Sequence, residues 1–509
     1  MFIKVHSAAV VGVEAVGVEI EVHEGRGDPK YAIVGLPDAA VKESIQRVMA
    51  ALTNSGFGKP QGATTVNLAP ADLKKEGPSF DLPIALGVVG LKEAYKEGAL
   101  EKSCVVGELA LNGRIRPVKG ILSIVQGARE AGRKAVIVPV ENAQEAALVD
   151  GIYTYGVENL RQAVELLQGE SGQKPVQVDR EEVFARQGAF EVDFEEVKGQ
   201  EAAKRALEIA VAGNHNALLI GPPGTGKSML AKRLPSIMSL MSEDEAIETT
   251  KIHSIAGLLE RREGMVAARP FRSPHHTISD AGLLGGSGHP RPGEVSLAHH
   301  GVLFLDELPE FRRTTLEVLR QPLEDRKVTI SRALGTVTFP ASFMLVGAMN
   351  PCKCGYFGDV RRECRCSSNE VLKYRQRISG PVMDRIDLHV EVPLVEYRDL
   401  SQAAPGESSA TIRERVDAAR ARQGARRPGG QPLPNAALGS KELKQVCQLD
   451  AEGAGFLHTA MTELDLSARA HDRILKVART IADLAGERDI LGDHVLEAIQ
   501  YRTLDRKLW

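Results

Sequence analysis

Aromatic side chains are scarce in this sequence, and several other common features are missing. Only 4% of the 509 residues are aromatic, which disfavours a function that depends on stacking nucleic-acid bases. The formal net charge is -3, so contact with nucleic acid would depend on local basic patches. No uninterrupted apolar run reaches roughly 18 residues, and we therefore expect no membrane span.

The amino terminus and the cysteine usage indicate a compartment. Glu14, Glu19 and Glu21 interrupt the first apolar stretch, so we predict no signal peptide. Six cysteines without a secretion signal favour a reducing environment, and we expect a cytoplasmic protein. A hydrophobic fraction of 43% and a charged fraction of 26% are typical of globular chains, and the length predicts several domains.

The motif around which the chain is organised is a phosphate-binding loop. It follows the apolar run Ala217–Ile220 and precedes a helical stretch, as the strand–loop–helix context of such loops requires. Its backbone amides would surround the phosphates of ATP, Lys227 would contact the β- and γ-phosphates, and Ser228 would bind Mg²⁺. The loop consists of Gly221, Pro222, Pro223, Gly224, Thr225, Gly226, Lys227 and Ser228.

Polar residues follow two later apolar runs of the same region. Asp306 and Glu307 come directly after Val302–Leu305, and Asn350 ends the run that begins at Phe343. Ligands of open α/β sheets bind where the strands end. We therefore predict that Asp306 holds Mg²⁺, that Glu307 polarises the attacking water and that Asn350 orients it. An acidic loop and an ordinary turn asparagine are the alternatives.

The first 168 residues alternate strand-like and helical patterns, which predicts an α/β sandwich. Val10–Val22 has strand-like apolar content, and Ala39–Leu52 has helical spacing. Two segments, Lys74–Pro83 and Val106–Gly120, resemble the proteolytic domain of Lon. The resemblance places Ser79 at the nucleophile, but Leu122 stands where Lon has its activating lysine. It therefore implies the Lon-like fold, also described as ribosomal S5 domain 2-like, without proteolysis.

The order of motifs in the rest of the chain resembles an AAA+ ATPase of the branch with magnesium-chelatase motors and MCM-like helicases. Arg272–His276, Gly293–His299 and Asp384–His389 are similar to motifs of the ComM/YifB family of bacterial magnesium-chelatase-like ATPases. The fold class is thus α/β, with an AAA+ core and a helical lid. The expected domains are 1–168 (Lon-like), 169–189 (linker), 190–395 (ATPase core), 396–440 (helical insertion) and 441–509 (lid).

The resemblance also implies an assembly and residue roles. It implies a homo-hexamer with ATP between subunits, in which Arg385 is the arginine finger of a neighbour's site. Arg469 would be the lid's sensor and contact the phosphate of its own subunit. The alternatives are a salt bridge of Arg385 with Asp384 or Asp387, and a solvated helix charge for Arg469.

The motifs and the family resemblance leave three functions open. The family resemblance favours a DNA motor, a helicase that drives branch migration in recombination and natural transformation. A chelatase-like motor that remodels a partner protein is the alternative, and an ATP-dependent protease is disfavoured by Leu122. For DNA, Arg332 at the turn of a predicted hairpin, Lys327–Pro340, is the best pore candidate. A helix with six arginines, Thr411–Arg427, is a second, although a solvated charged face suits it better.

Four cysteines form the remaining candidate site. Cys352, Cys354, Cys364 and Cys366 make two CxC pairs, which nine residues separate. Thiolates in a reducing compartment favour a structural Zn²⁺ with four closed ligands. An Fe–S cluster and four unligated thiols are the alternatives. We expect loop and packing roles instead for five histidines, namely His275, His276, His289, His299 and His300.

Overall fold

The computed structural model describes residues 2–188, 190–259, 264–286, 290–332, 335–359, 361–395, 406–427, 433–464 and 466–502. The chain divides into two compact units made of discontinuous segments. The domain boundaries expected from the sequence therefore stay predictions. The first unit contains Met1–Gln187, Ser242–Ala267 and Ser331–Phe339, and the second contains Gly188–Met241, Ala268–Ile330 and Pro340–Trp509.

The first unit is an α/β structure on a mixed sheet. Its strands are β1 (Phe2–Val11), β2 (Glu14–Glu24), β3 (Tyr31–Val34), β4 (Thr64–Ala69), β5 (Ser103–Val105), β6 (Glu108–Leu109), β7 (Ile115–Arg116), β8 (Ala135–Pro139) and β9 (Tyr153–Val157). Its helices are α1 (Ala39–Asn54), α2 (Asp81–Val89), α3 (Ala99–Lys102), α4 (Ile121–Glu130), α5 (Ala143–Ala146), α6 (Leu160–Gln168), α7 (Arg180–Gln187) and, later in the chain, α10 (Glu243–Ala256).

The large sheet of this unit has the order β3-β4-β2-β1-β5-β8-β9 in the described residues. Val10–Val22, which the sequence indicated as one strand-like segment, is instead the junction of β1 and β2. These strands are antiparallel, with Val5 opposite Ile20. Gly12 lies between them at φ +67°, a conformation that favours glycine, and this turn is the reason for the difference. The helix α1 confirms the predicted helical stretch Ala39–Leu52.

The carboxyl group of Glu145 is buried in the first unit, near the start of α4. Burial raises the pKa of Glu145 from 4.5 to about 7, although its carboxyl group accepts hydrogen bonds from the Leu122 amide (3.0 Å) and the Ser254 hydroxyl. The folded chain thus keeps a proton that the unfolded chain releases. The free energy of unfolding should therefore fall as pH rises from about 5 to about 8, by at most about 3 kcal/mol.

Glu145→Gln should flatten this pH dependence, because an amide does not titrate. We expect the variant's melting temperature to change less than that of the native chain in calorimetric scans between about pH 5 and about pH 8. Glu130→Gln is the matched control, since Glu130 is an exposed glutamate at the end of α4, the helix whose first turn contacts the Glu145 carboxyl group. Equal pH dependence in the native chain and Glu145→Gln would contradict the prediction.

The second unit combines a parallel sheet with helices. Its strands are β10 (Ala217–Ile220), β11 (Phe271–Arg272), β12 (Val302–Leu305), β13 (Lys327–Arg332), β14 (Gly335–Pro340), β15 (Met344–Met349) and β16 (Leu388–Glu391), of which most of β14 groups with the first unit. Its helices are α8 (Glu201–Gly213), α9 (Lys227–Ile237), α11 (Asp280–Leu284), α12 (Glu294–Leu297), α13 (Arg313–Glu317), α14 (Arg320–Asp325), α15 (Ser368–Arg375), α16 (Gly380–Met383), α17 (Ser409–Ala425), α18 (Ser440–Val446), α19 (Ala451–Glu463), α20 (Ala468–Ala485) and α21 (Gly492–Gln500).

The parallel sheet has the strand order β11-β12-β15-β10-β16. β15 lies between β12 and β10, and Ile220 of β10 is in register with Met349 of β15. Because parallel strands end at one edge, the residues after β10, β12 and β15 come to the same side. This arrangement confirms the predicted α/β fold class, and it determines where the candidate site lies.

The helices from α17 onward include the predicted lid. The longest of them, α20, begins after Ser467, whose side chain accepts the Ala470 amide hydrogen, and ends before Gly486 at φ +83°. Both ends therefore have favourable caps. β13 and β14 confirm the two strands predicted before Asn350, and they pair in a sheet of their own. Across the described ranges, none of the helices has the length and apolarity needed to cross a bilayer.

Candidate functional site

The loop between β10 and α9 adopts a conformation that its glycines permit. Gly224 and Gly226 have φ of +79° and +83°, and Gly226 directly precedes the first turn of α9. Lys227 reaches back over the loop, and its Nζ donates to the carbonyls of Gly221 (2.7 Å) and Pro222 (2.9 Å). Burial lowers the pKa of Lys227. The lysine is therefore held at the loop, beside the amino terminus of α9, where anions bind.

The two residues predicted to hold Mg²⁺ lie in direct contact. The Ser228 hydroxyl donates to Oδ2 of Asp306 at 2.6 Å, which joins the start of α9 to the end of β12. A hydroxyl and a carboxylate are the hard oxygen ligands that Mg²⁺ prefers, so this pair fits the ion. Glu307 follows at φ +51°, and its amide donates to Oδ1 of Asp306 at 2.9 Å. Its side chain is 60% exposed.

Asn350 completes the group at this edge of the sheet. Its Oδ1 lies 3.3 Å from Nζ of Lys227, so the strand end of β15 contacts the loop lysine. His276, which follows β11, lies on the other side of Glu307, with 3.6 Å between its Nδ1 and Oε2 of Glu307. His276 was expected to have a loop or packing role, and its contact with Glu307 was not predicted. The pairing of β11 with β12, which the short run Phe271–Arg272 does not reveal, brings it there.

Arg385 and Asp384, to which Arg469 bonds, lie at the opposite edge of the sheet. Arg385 precedes β16, and the Asn216 side chain before β10 donates to its carbonyl at 2.7 Å. Ala217 is in register with Leu388, so this is the edge where β10 and β16 begin, whereas the phosphate-binding loop follows β10. Four residues of strand span about 13 Å. Arg469 Nη1 donates to Asp384 Oδ2 at 3.0 Å.

The two arginines differ in exposure. The side chain of Arg385 is only 10% exposed, and its guanidinium pairs with the Glu324 carboxylate and the Pro381 carbonyl. The side chain of Arg469 is 66% exposed. Arg473, one turn later in α20, pairs with Asp387 at 2.9 Å. Arg385 thus makes a salt bridge, which was its alternative, but with Glu324 and not with Asp384 or Asp387. The alternative for Arg469 was a solvated helix charge, and its side chain is mostly exposed although it pairs with Asp384.

The four cysteines of the CxC pairs converge on one point. The Sγ atoms of Cys352, Cys354 and Cys364 lie 3.3 to 3.7 Å apart, and Cys366 has its Sγ within 4.8 Å of all three. All four are free thiols. Four sulfurs at about 2.3 Å from a tetrahedral zinc would lie about 3.8 Å apart, whereas a disulfide needs about 2.05 Å. The cluster thus fits a tetrahedral metal.

The remaining predicted residues are spread over the fold. The Arg332 side chain and all of His289 lie outside the described residues, so the pore candidate stays a prediction. His299 accepts the Ser342 amide hydrogen at 2.9 Å, and His275 bonds Thr277 at 2.9 Å. These histidine contacts are of the loop and packing kind.

The arginines of α17 make bonds within the second unit. Arg415 pairs with Glu208 and Glu407, and Arg422 donates to the Asp483 carbonyl at 2.8 Å. Arg413 lies over the ring of Phe190, 5.4 Å from its centre, and Arg420 donates to the Val211 carbonyl at 2.8 Å. The helix therefore uses these arginines to pack against its neighbours. Arg422 and Arg426 are nevertheless exposed, and contact of this helix with DNA stays a prediction.

The Lon-like positions of the first unit are mainly structural. Leu122 is fully buried in the first turn of α4. Ser79 lies in the turn Pro78–Phe80, where its carbonyl accepts the Gly107 amide hydrogen at 2.9 Å. An apolar side chain at position 122 cannot act as the base that a serine nucleophile requires.

Comparison with known protein families matches three parts of the chain. Residues 193–400 match the family described as magnesium chelatase, subunit ChlI. Residues 19–142 match the family described as subunit ChlI of Mg-chelatase, and residues 406–502 match the carboxy-terminal family of the same subunit. These ranges include the phosphate-binding loop, the Asp306–Glu307 pair, Arg385 and Arg469.

Similar proteins extend over nearly the full length. The competence protein ComM of Haemophilus influenzae is 45% identical over 506 residues, which are 99% of this chain and 98% of ComM. The protein YifB of Escherichia coli is 44% identical over 506 residues, covering 99% of this chain and 97% of YifB. Lon protease 2 of Bacillus subtilis is 30% identical over 176 residues, which are 30% of this chain and 32% of that protease.

Proposed function

Because the chain belongs to the magnesium-chelatase-like AAA+ ATPase family that includes ComM and YifB, we propose that it is an ATP-driven DNA motor. The observation that supports ATP hydrolysis is a pair of contacts at one edge of the sheet: Lys227 contacts Asn350, and Ser228 bonds Asp306. The DNA substrate rests on the similarity to a competence protein, which favours branch migration of recombining strands.

The residues at this edge divide the work of hydrolysis. Bound Mg²⁺ would neutralise phosphate charge, with Ser228 and Asp306 as its protein ligands. Lys227 binds the terminal phosphates, and Glu307 polarises the attacking water. Asn350 orients that water, and its side chain also contacts Lys227, so the positions of Asn350 and Lys227 depend on each other. Leu122 supports the proposal that the first unit is not proteolytic.

The positions of Arg385 and Arg469 support a shared site in a ring. Both lie at the sheet edge away from their own phosphate-binding loop, and therefore a neighbouring subunit's site is the one they would serve. Arg469 was expected to contact the phosphate of its own subunit. Its bond to Asp384, at the edge away from the loop, supports the proposal that it serves the neighbour instead. We propose a homo-hexamer in which Arg385 leaves Glu324 and reaches the neighbour's γ-phosphate.

Forked DNA tests the substrate. We expect it to stimulate ATP turnover and to be separated in a strand-displacement assay with native protein. Affinity should fall about tenfold or more between ~50 and ~200 mM salt, because phosphate contacts release counterions. Arg332→Ala should weaken DNA binding. Arg313→Ala is the control that should not weaken it, because Arg313 is an exposed arginine of α13 outside the hairpin. ATP turnover without any DNA binding in the presence of an ATP analogue would favour a chelatase-like motor that remodels a partner protein.

We also propose that Cys352, Cys354, Cys364 and Cys366 bind a structural Zn²⁺. The near-tetrahedral spacing of their sulfurs supports it, and four protein ligands leave no open position for catalysis. Metal analysis of protein purified without chelator should give about one zinc per chain. The variants Cys352→Ser and Cys364→Ser should lose the zinc. The variant Cys447→Ser should keep it, because Cys447 is a buried cysteine elsewhere in the unit. Native protein without zinc would contradict the site; iron in its place would favour the Fe–S alternative.

A further inference from the structure

The loop that carries the four cysteines is directly attached to the nucleotide site. Asn350 ends β15, and Cys352 follows it two residues later as a fully buried ligand candidate. The Pro351 carbonyl between them accepts a hydrogen bond from Arg375 Nε at 3.1 Å. The segment from Asn350 to Cys352 therefore has little freedom, and a displacement of the cysteine would move the asparagine that contacts Lys227.

A second contact joins the cysteine loop to the phosphate-binding loop itself. Gly355 has φ of +89°, and a Cβ placed on it would lie 2.6 Å from Cδ and 2.8 Å from Cγ of Pro223. The same Cβ would lie 3.9 Å from the Asn350 side chain. The backbone of the loop thus packs on the ring of Pro223, at a distance that leaves no room for a side chain.

Metal binding by the four sulfurs determines whether Gly355 stays packed on Pro223. Residues 355–363 connect the two CxC pairs, and Gly355 immediately follows Cys354. A metal that binds all four thiolates closes this loop and holds Gly355 against Pro223. Without the metal, the loop depends on local contacts. Examples are the bond from the Gly355 amide to the Cys352 carbonyl (3.0 Å), the bond from Arg362 to the Tyr356 hydroxyl (2.8 Å) and the packing of Arg375 over the Phe357 ring.

We propose that the four-cysteine loop is a metal-dependent brace of the nucleotide site, which holds Pro223 and Asn350 in the positions that ATP hydrolysis requires. The inference rests on the proposed ATPase and on the proposed zinc site, and it goes beyond both. It makes metal occupancy a condition for turnover, although the metal contacts neither nucleotide nor water. Small displacements of catalytic groups reduce rates strongly, so the effect should be about 10- to 100-fold.

Two glycines of the loop provide a matched pair of variants. Gly355 and Gly358 both have left-handed backbone, with φ of +89° and +81°, so alanine strains both alike. Only Gly355 approaches Pro223, because a Cβ on Gly358 meets nothing within 4 Å. Gly355→Ala should keep the zinc and lose about 10- to 100-fold in ATP turnover, whereas Gly358→Ala should keep both.

Zinc content separates a displaced Pro223 from a damaged loop. A Gly355→Ala variant that keeps its zinc still has the four-cysteine site, so its lost turnover would come from the altered contact with Pro223. Zinc content, nucleotide affinity and turnover are measured on the full-length variants. Equal turnover of Gly355→Ala and Gly358→Ala would overturn the brace.

Metal removal from native protein tests the same idea independently. The protein is dialysed against a zinc-selective chelator, and Mg²⁺ and ATP are then supplied. Turnover should fall about 10- to 100-fold and return when Zn²⁺ is added. Unchanged turnover of the zinc-free protein would overturn the brace but leave the ATPase and the zinc site standing. No turnover in the zinc-loaded native protein would instead contradict the ATPase.

Discussion

ATP turnover is expected to fall by about 10²- to 10⁴-fold when Glu307 is replaced by Gln, while ATP affinity stays nearly unchanged. The carboxamide keeps the size of the side chain but cannot take a proton from the attacking water. The phosphate-binding loop and the Ser228–Asp306 pair are not altered, so binding should remain. Turnover is measured by phosphate release, and affinity by titration with a fluorescent ATP analogue.

Lys227→Ala should fail at a different step. It removes the ammonium that the loop holds through the Gly221 and Pro222 carbonyls, so nucleotide affinity should fall together with turnover.

Glu310→Gln is the control for Glu307→Gln, because Glu310 is a nearby exposed carboxylate that pairs with Arg377 at 2.7 Å. Native turnover in Glu307→Gln would show that Glu307 does not activate the water.

The sheet edge with the nucleotide site was predictable because each of its residues follows a recognisable strand. Lys227, Asp306 and Asn350 come after apolar runs, and parallel strands bring the residues that follow them to one side. The chemistry of each residue then suggests its role. The agreement therefore depends on a regular part of the fold, in which local sequence determines position.

The edge that holds Arg385 and Arg469 was not predictable in the same way. The order of motifs places these residues after the phosphate-binding loop but does not say which end of the sheet they occupy. That follows from the register of β16 on β10 and from the bond of Arg469 to Asp384, and both are long-range contacts. Helical periodicity alone gives no indication of what α20 packs against.

Helix α10 shows a similar limit in the first unit. Its sequence follows α9 of the second unit, yet Ser254 donates to Glu145 and the helix groups with the first unit. The place of Glu243–Ala256 in the sequence does not indicate that the helix packs in the first unit. Likewise, the spacing of two CxC pairs suggests a metal site, whereas the contact of Gly355 with Pro223 appears only in the fold.

Arg385→Ala protein is expected to bind ATP but to lose about 10³-fold or more in turnover, as when an arginine finger is removed. If the finger acts in a neighbouring subunit, mixing this variant with Lys227→Ala protein should restore activity. An Arg385→Ala subunit contributes an intact loop, and its Lys227→Ala neighbour contributes the arginine. At equal amounts, random assembly gives intact composite sites at about a quarter of the interfaces.

A corresponding mixture, with Arg469→Ala in place of Arg385→Ala, distinguishes the two possible roles of Arg469. If Arg469 serves the neighbour, Arg469→Ala protein should also be rescued by Lys227→Ala protein, to about a quarter of native turnover. If it serves its own subunit, no site in the mixture has both groups, and no rescue occurs. Lys227→Ala mixed with Glu307→Gln is the negative control, because both residues belong to one subunit's site. Absence of rescue for Arg385→Ala, with mixed rings shown by mass, would contradict a shared site.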